Sequence, residues 1–175
     1  MRHFSPQLKK ILIRINGCVL IPLLLCVPLF CFGTDDYNVT GLLNLKDYVL
    51  LFHILAIVLL FWTDLLLWKI MKKQHVTTRI LIPLNILILL ALFLPYEEGK
   101  STLNTLHILA AYTAFVIFTC LFVKLMHMNQ IFLNIFIMTC ILCLLLSLTA
   151  GKVTGLSEVL FGSITSILLA FSVTE

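Results

Sequence analysis

The chain has 175 residues, of which 61% are hydrophobic and only 11% charged, against roughly 25% charged residues in an ordinary soluble domain. A mean hydropathy of +1.12 excludes the soluble classes. The formal charge of +4 is carried largely by short basic stretches between apolar runs. That pattern suits lipid head groups and excludes nucleic acid as a partner.

A helix needs about 20 apolar residues to cross a bilayer, and lipid cannot satisfy open backbone groups, so a spanning segment must close its own hydrogen bonds. Six stretches predict such helices: Ile11 to Phe32, Tyr48 to Ile70, Ile80 to Leu94, Leu103 to Met126, Ile131 to Ala150 and Val159 to Val173. The third and sixth are short for a full crossing. No run alternates as a lipid-facing barrel strand would. The first run follows Arg2, Lys9, Lys10 and Arg14, as a signal peptide would, but no small-x-small cleavage site follows it. It reads as a retained helix. Pro22, Pro28 and Pro83 fall inside odd-numbered runs and predict kinks there. The expected fold is all-α, a single polytopic integral membrane domain over residues 1–175 with six transmembrane helices.

The connecting segments predict the orientation. Lys69, Lys72, Lys73 and Arg79 flank the second connection, and Lys124 the fourth, while "GTDDYN", "PYEEGK" and "AGKVTGLSE" on the other side are mostly acidic. Under the positive-inside rule both termini are cytoplasmic in a cell membrane, and the acidic loops face outward. Asn38-Val39-Thr40 is then a glycosylation sequon in an outer loop, meaningful only in a eukaryotic secretory membrane.

The word HILA occurs twice, at His53 to Ala56 and at His107 to Ala110. "ILIRIN" ends at Asn16, "ILIPLN" at Asn85 and "QIFLN" at Asn134, each opening an odd-numbered span. From those asparagines, 37, 22 and 24 residues lead to His53, His107 and Glu158. The pattern predicts three repeated helical hairpins with these ionisable residues in equivalent places.

Each histidine lies about six residues, or roughly 9 Å, inside the outer end of its span. Ionisable residues at such depth are costly and point to function. Either His53, His107 and Glu158 converge on one outward polar site, or each histidine simply hydrogen-bonds a neighbouring helix. Asp64 stands eleven residues after His53, which returns it to the same helix face within roughly 20°. Asn85 at similar depth is a candidate partner, and Lys69 or Lys124 could neutralise Asp64 from the interface, in a structural clamp or a proton or ion relay. Ala110, Ala111 and Ala114 share the face of His107, and Gly162 and Ser166 that of Glu158. Small residues there allow close helix approach, so the even helices are expected at the bundle centre. All six cysteines lie in apolar runs and read as packing residues, the Cys140–Cys143 pair included.

The segment "LFLPYEEGKSTLNTLHILAAYTAF", with "GLSEVLFG", resembles small six-helix bacterial membrane proteins of unknown function related to the autophagy-modulator (DRAM) group. The resemblance rests on Pro95, His107, Ala111 and Glu158, and implies the fold without a reaction. A second resemblance is to b-type cytochromes, which place histidines in apolar helices. It implies haem b with His53 and His107 as axial ligands. Against it, those cytochromes spread paired histidines over four helices, and the third and fifth spans here have none. No Walker loop, nucleophile elbow or zinc-protease motif occurs, and no cofactor is expected. The leading functional expectation is a membrane protein without enzymatic chemistry. It would bind a lipid, a small solute or a membrane partner through the outer polar cluster.

Overall fold

A computed structural model of the chain describes residues 5–32, 47–94 and 102–175. The sequon at Asn38, the acidic outer-loop residues Asp36 and Glu98, and Pro95 of the resemblance lie outside the described residues. Among those described, all regular structure is helical.

Helix α1 (Pro6–Ile15) starts with Pro6 in its first turn and a Ser5 cap whose Oγ accepts from the Leu8 amide at 3.2 Å. Ser before Pro is a natural start, because the missing proline donor is one the first turn cannot use anyway. A π-helical turn (Asn16–Leu20) leads into α2 (Ile21–Phe32). Pro22 lacks the N–H that would bond the Cys18 carbonyl, and its ring presses on that turn. The widened turn just before it relieves the clash. Helix α3 covers Val49–Lys73. A 3₁₀ turn (Thr78–Ile80) opens α4 (Leu81–Phe93), and α5 (Thr102–Met126), α6 (Gln130–Ala150) and α7 (Gly155–Thr174) follow.

Five of these segments are long and apolar enough to cross a membrane: Pro6–Pro28, Val49–Lys73, Thr102–Met126, Gln130–Ala150 and Gly155–Thr174. The expected sixth, at Ile80 to Leu94, is instead a shorter apolar helix, Thr78–Phe93. Leu94 precedes Pro95 and takes extended backbone (ψ 124°), as residues before proline must, so the helix stops at Phe93. Pro83 lies in the first turn of α4, where its missing donor costs least. The last helix is longer than its apolar run predicted. Thr154 accepts from the Ser157 amide at 3.2 Å and brings "GLSE" into the first turn.

The contacts fall into two compact units, Met1–Val39 with Asn134–Glu175, and Thr40–Leu133. These units do not follow the expected hairpins, since the two helices of the first hairpin belong to different units. In the first unit α7 packs along α2 and the π turn. Gly17 makes that approach possible: a Cβ there would stand 2.3 Å from the Ala170 Cβ. Arg14 Nε donates to Thr174 Oγ1 at 2.9 Å, and its guanidinium lies over the Phe171 ring.

In the second unit α4 packs chiefly on α5 and also on α3. Leu66, Leu67, Ile70 and Met71 of α3, Leu84 of α4, and Phe122 and Leu125 of α5 are buried, all toward the end marked by Lys72. Large apolar side chains remain on the outer faces, Leu50 at 74% exposure and Phe61 at 68%. Such residues are tolerable when the surroundings are hydrocarbon.

Candidate functional site

The second unit concentrates its polar contacts at the carbonyl end of α4. The last four C=O groups of any helix lack partners within it. In lipid no water is at hand, and each orphan carbonyl costs several kcal/mol unless a side chain reaches it. Helix α4, the shorter apolar helix, ends with such carbonyls at Leu92 and Leu94.

Two imidazoles face these carbonyls, each able to donate through the ring nitrogen that carries hydrogen. His53, one turn inside the start of α3, places Nε2 3.2 Å from the Leu92 oxygen. Its Nδ1 lies 2.8 Å from Val49 O in the preceding turn of its own helix, and its ring leans on Phe93 with centroids 5.1 Å apart. His107, early in α5, directs Nδ1 to the Leu94 oxygen at 3.2 Å and is buried. Two neighbouring helices therefore each bring one histidine to a carbonyl at the end of a third, Leu92 and Leu94, with Phe93 between them. Each histidine thus lies against a carbonyl of a neighbouring helix. The positive side of an imidazole N–H also suits the negative end of a helix dipole.

Beside this cap runs an apolar groove between α4 and α5. Leu87, Leu90 and Leu94 form one wall, and Leu106, Leu109, Ala110 and Thr113 the other, around about 330 Å³. That volume lies within the roughly 300–1,000 Å³ of small-molecule pockets. Its lining is almost wholly hydrocarbon. Ala110 and Ala114, on the His107 face, are buried, as the small-residue pattern predicted, whereas Ala111 is half-buried.

Deeper along α3, Asp64 meets Asn85 of α4, with Asn85 Nδ2 donating to Asp64 Oδ2 at 2.5 Å. The buried Asn85 Oδ1 has no hydrogen-bond partner among the described residues. A carboxylate this deep needs a donor facing it, and the carboxamide one helix away provides it. Thr63, beside Asp64, returns its hydroxyl to the Leu59 carbonyl at 2.9 Å. The pair ties α3 to α4, so three side-chain bonds (His53, His107, Asn85) hold the short helix between its neighbours.

Glu158 belongs to the first unit. It occupies the first turn of α7, four residues after the Thr154 cap, where a helix N-terminus favours an acidic side chain. The structure thus brings His53 and His107 to one helix end and Asp64 to Asn85, and places Glu158 at another helix start. Among the described residues no three His, Cys, Asp or Glu side chains gather as a metal site. All six cysteines are free.

Sequence reasoning missed the acceptors of both histidines, because backbone carbonyls carry no side-chain signature. The Leu94-Pro95 dipeptide was the available signal, since it ends a helix short of a full crossing. A further contact that no motif announced is Gln74, whose Nε2 donates to the Leu125 carbonyl near the end of α5 at 2.9 Å.

Comparison with known proteins returns no matching family model, no matching curated protein and no matching solved structure. Function is therefore read from the geometry.

Proposed function

We propose that the protein is a non-enzymatic, multi-pass protein of the cell membrane that holds a lipid in the groove between α4 and α5. In this reading the chain crosses six times as three helical hairpins, with α4 as the short crossing and both termini cytoplasmic. The basic residues around Lys72 and Arg79 support that orientation. The likeness to small six-helix membrane proteins fits the same picture.

The observation that carries the lipid reading is the groove itself, hydrocarbon along its walls and bordered by Leu94, whose carbonyl faces His107. An acyl chain matches the walls. Thr113, the one polar residue of the lining, offers a hydroxyl to the glycerol ester region. Haem ligation through Nε2 would displace the His53 contact with the Leu92 carbonyl, whereas the His107 Nδ1 contact with Leu94 would survive it, so it is the His53 contact that favours the lipid reading.

The test is lipid retention. Protein purified in mild detergent is expected to keep phospholipid through size exclusion, measured by native mass spectrometry. Ala110→Phe fills the groove and is expected to lose that lipid, while Ile86→Phe, on an exposed face of α4, keeps it. Equal retention by folded Ala110→Phe protein would overturn the proposal.

A further inference from the structure

The opposite, amide end of α4 holds a second concavity, independent of the lipid groove. Helix α3 does not simply fade after Lys73. The His75 amide bonds the Lys72 carbonyl at 3.3 Å, the Val76 amide bonds the Met71 carbonyl at 2.8 Å, and His75 takes a left-handed φ of 54°. This is the Schellman arrangement, which reverses the chain within two residues and is usually built on glycine. The reversal folds the last turn of α3 over the start of α4. Lys72, His75, Val76, Thr77, Thr78 and Arg79 thereby line one hollow of about 370 Å³.

Its chemistry is one-sided. Lys72 and Arg79 supply two permanent cations, His75 an imidazole, and Thr77 and Thr78 two hydroxyl donors. The hollow contains no acidic residue. Thr77, although it directly precedes the 3₁₀ turn, spends no side-chain bond on capping it, so its hydroxyl is not committed there. Like charges held in one concavity repel, and an anion among them removes that cost. A guanidinium with flanking ammonium and hydroxyl groups matches the tetrahedral, multiply accepting oxygens of phosphate. The hollow also begins where the apolar part of α3 ends: Lys72 Nζ lies 4.6 Å from the centre of the Trp68 ring, an aromatic of the kind found at bilayer interfaces.

We propose that this hollow binds a phosphate group, supplied either by the head group of an anionic lipid or by a soluble phosphate. Lys72 and Arg79 hold the charge, and Thr77 and Thr78 supply further donors.

Trp68 provides the readout, because drawing the Lys72 ammonium off its ring changes its emission. The full chain carrying Trp62→Phe, solubilised in a neutral detergent, is titrated with inorganic phosphate and, separately, with a short-chain phosphatidic acid. A saturable change is expected, weakened about tenfold or more by Lys72→Gln or Arg79→Gln, since each removes a charge-assisted bond. Because Lys72→Gln alters the reporter itself, binding by that variant is also followed by calorimetry. Lys73→Gln removes the same charge one residue away, outside the hollow, and is expected to leave affinity within about twofold. Saturation by phosphatidic acid alone assigns the group to a lipid head group, and saturation by both probes assigns it to phosphate as such. No saturable binding of either probe would overturn the proposal. So would equal weakening by Lys73→Gln.

Discussion

In the unit built from α1, α2, α6 and α7, helices meet where side chains are smallest. Gly17 lies against Ala170 and the Ser166 carbonyl, and Gly162 lies under Leu25. In the unit built from α3, α4 and α5, helices are joined by side chains that reach across. His53 and His107 bond the end of α4, Asn85 bonds Asp64, and Gln74 bonds a carbonyl near the end of α5. Both are answers to the same condition. Lipid gives helices no hydrophobic reason to associate, so close approach or interhelical hydrogen bonds must do it. The difference follows from helix length. The first unit is built from segments long and apolar enough to cross a membrane, whereas α4 is shorter, and its last carbonyls face side chains of its two neighbours.

The strongest way to break this comparison is to add one methyl group to the close-packed unit. Gly17→Ala would set a carbon 2.3 Å from the Ala170 Cβ, an atom with no rotamer to move, and 3.1 Å from the Ser166 oxygen. Thermal unfolding in detergent is expected to show a loss of about 3 kcal/mol. Ala170→Gly in the same chain is expected to restore much of it. Gly162→Ala meets only the flexible tip of Leu25 at 2.9 Å, and the gain in helix propensity of about 1 kcal/mol offsets that push, so its effect is expected to be small. Equal losses at the two glycines would mean that Gly17 is not a contact point.

In the polar unit the matching change is His107→Leu, which keeps most of the buried volume but leaves the Leu94 carbonyl without its donor. It is expected to cost about 1–3 kcal/mol. His53→Leu is expected to cost less, because His53 is only half-buried and the end of α3 lies nearer to polar surroundings. If His107→Leu proved neutral or stabilising, carbonyl capping would not be what holds α4.

Much of the helical layout was legible in the sequence because it depends on long apolar runs. The observed Thr102–Met126 differs from the expected Leu103–Met126 by one residue. Asn85 was legible as one candidate partner of Asp64 from its matching depth, with Lys69 and Lys124 as the others, and the structure pairs Asp64 with Asn85. The shift in the last helix was not, because its first turn is polar and the Thr154 cap, not hydropathy, sets its start. Nor was the π turn at Asn16–Leu20, which answers a clash two residues beyond it. The hollow at Lys72 and Arg79 escaped for a similar reason. Its basic residues were read as an orientation signal, and only the left-handed His75 folds them into one concavity.

The histidine cap is tested most directly by the proton position on His107. A carbonyl can accept only from a ring nitrogen that carries hydrogen, so the Leu94 contact requires a proton on Nδ1. Solid-state NMR of ¹⁵N-histidine-labelled protein in lipid bilayers, with the His107 signals assigned by their absence in His107→Leu, reads that proton. A protonated Nδ1 is the expected result. A His107 ring protonated at Nε2 alone would contradict the cap.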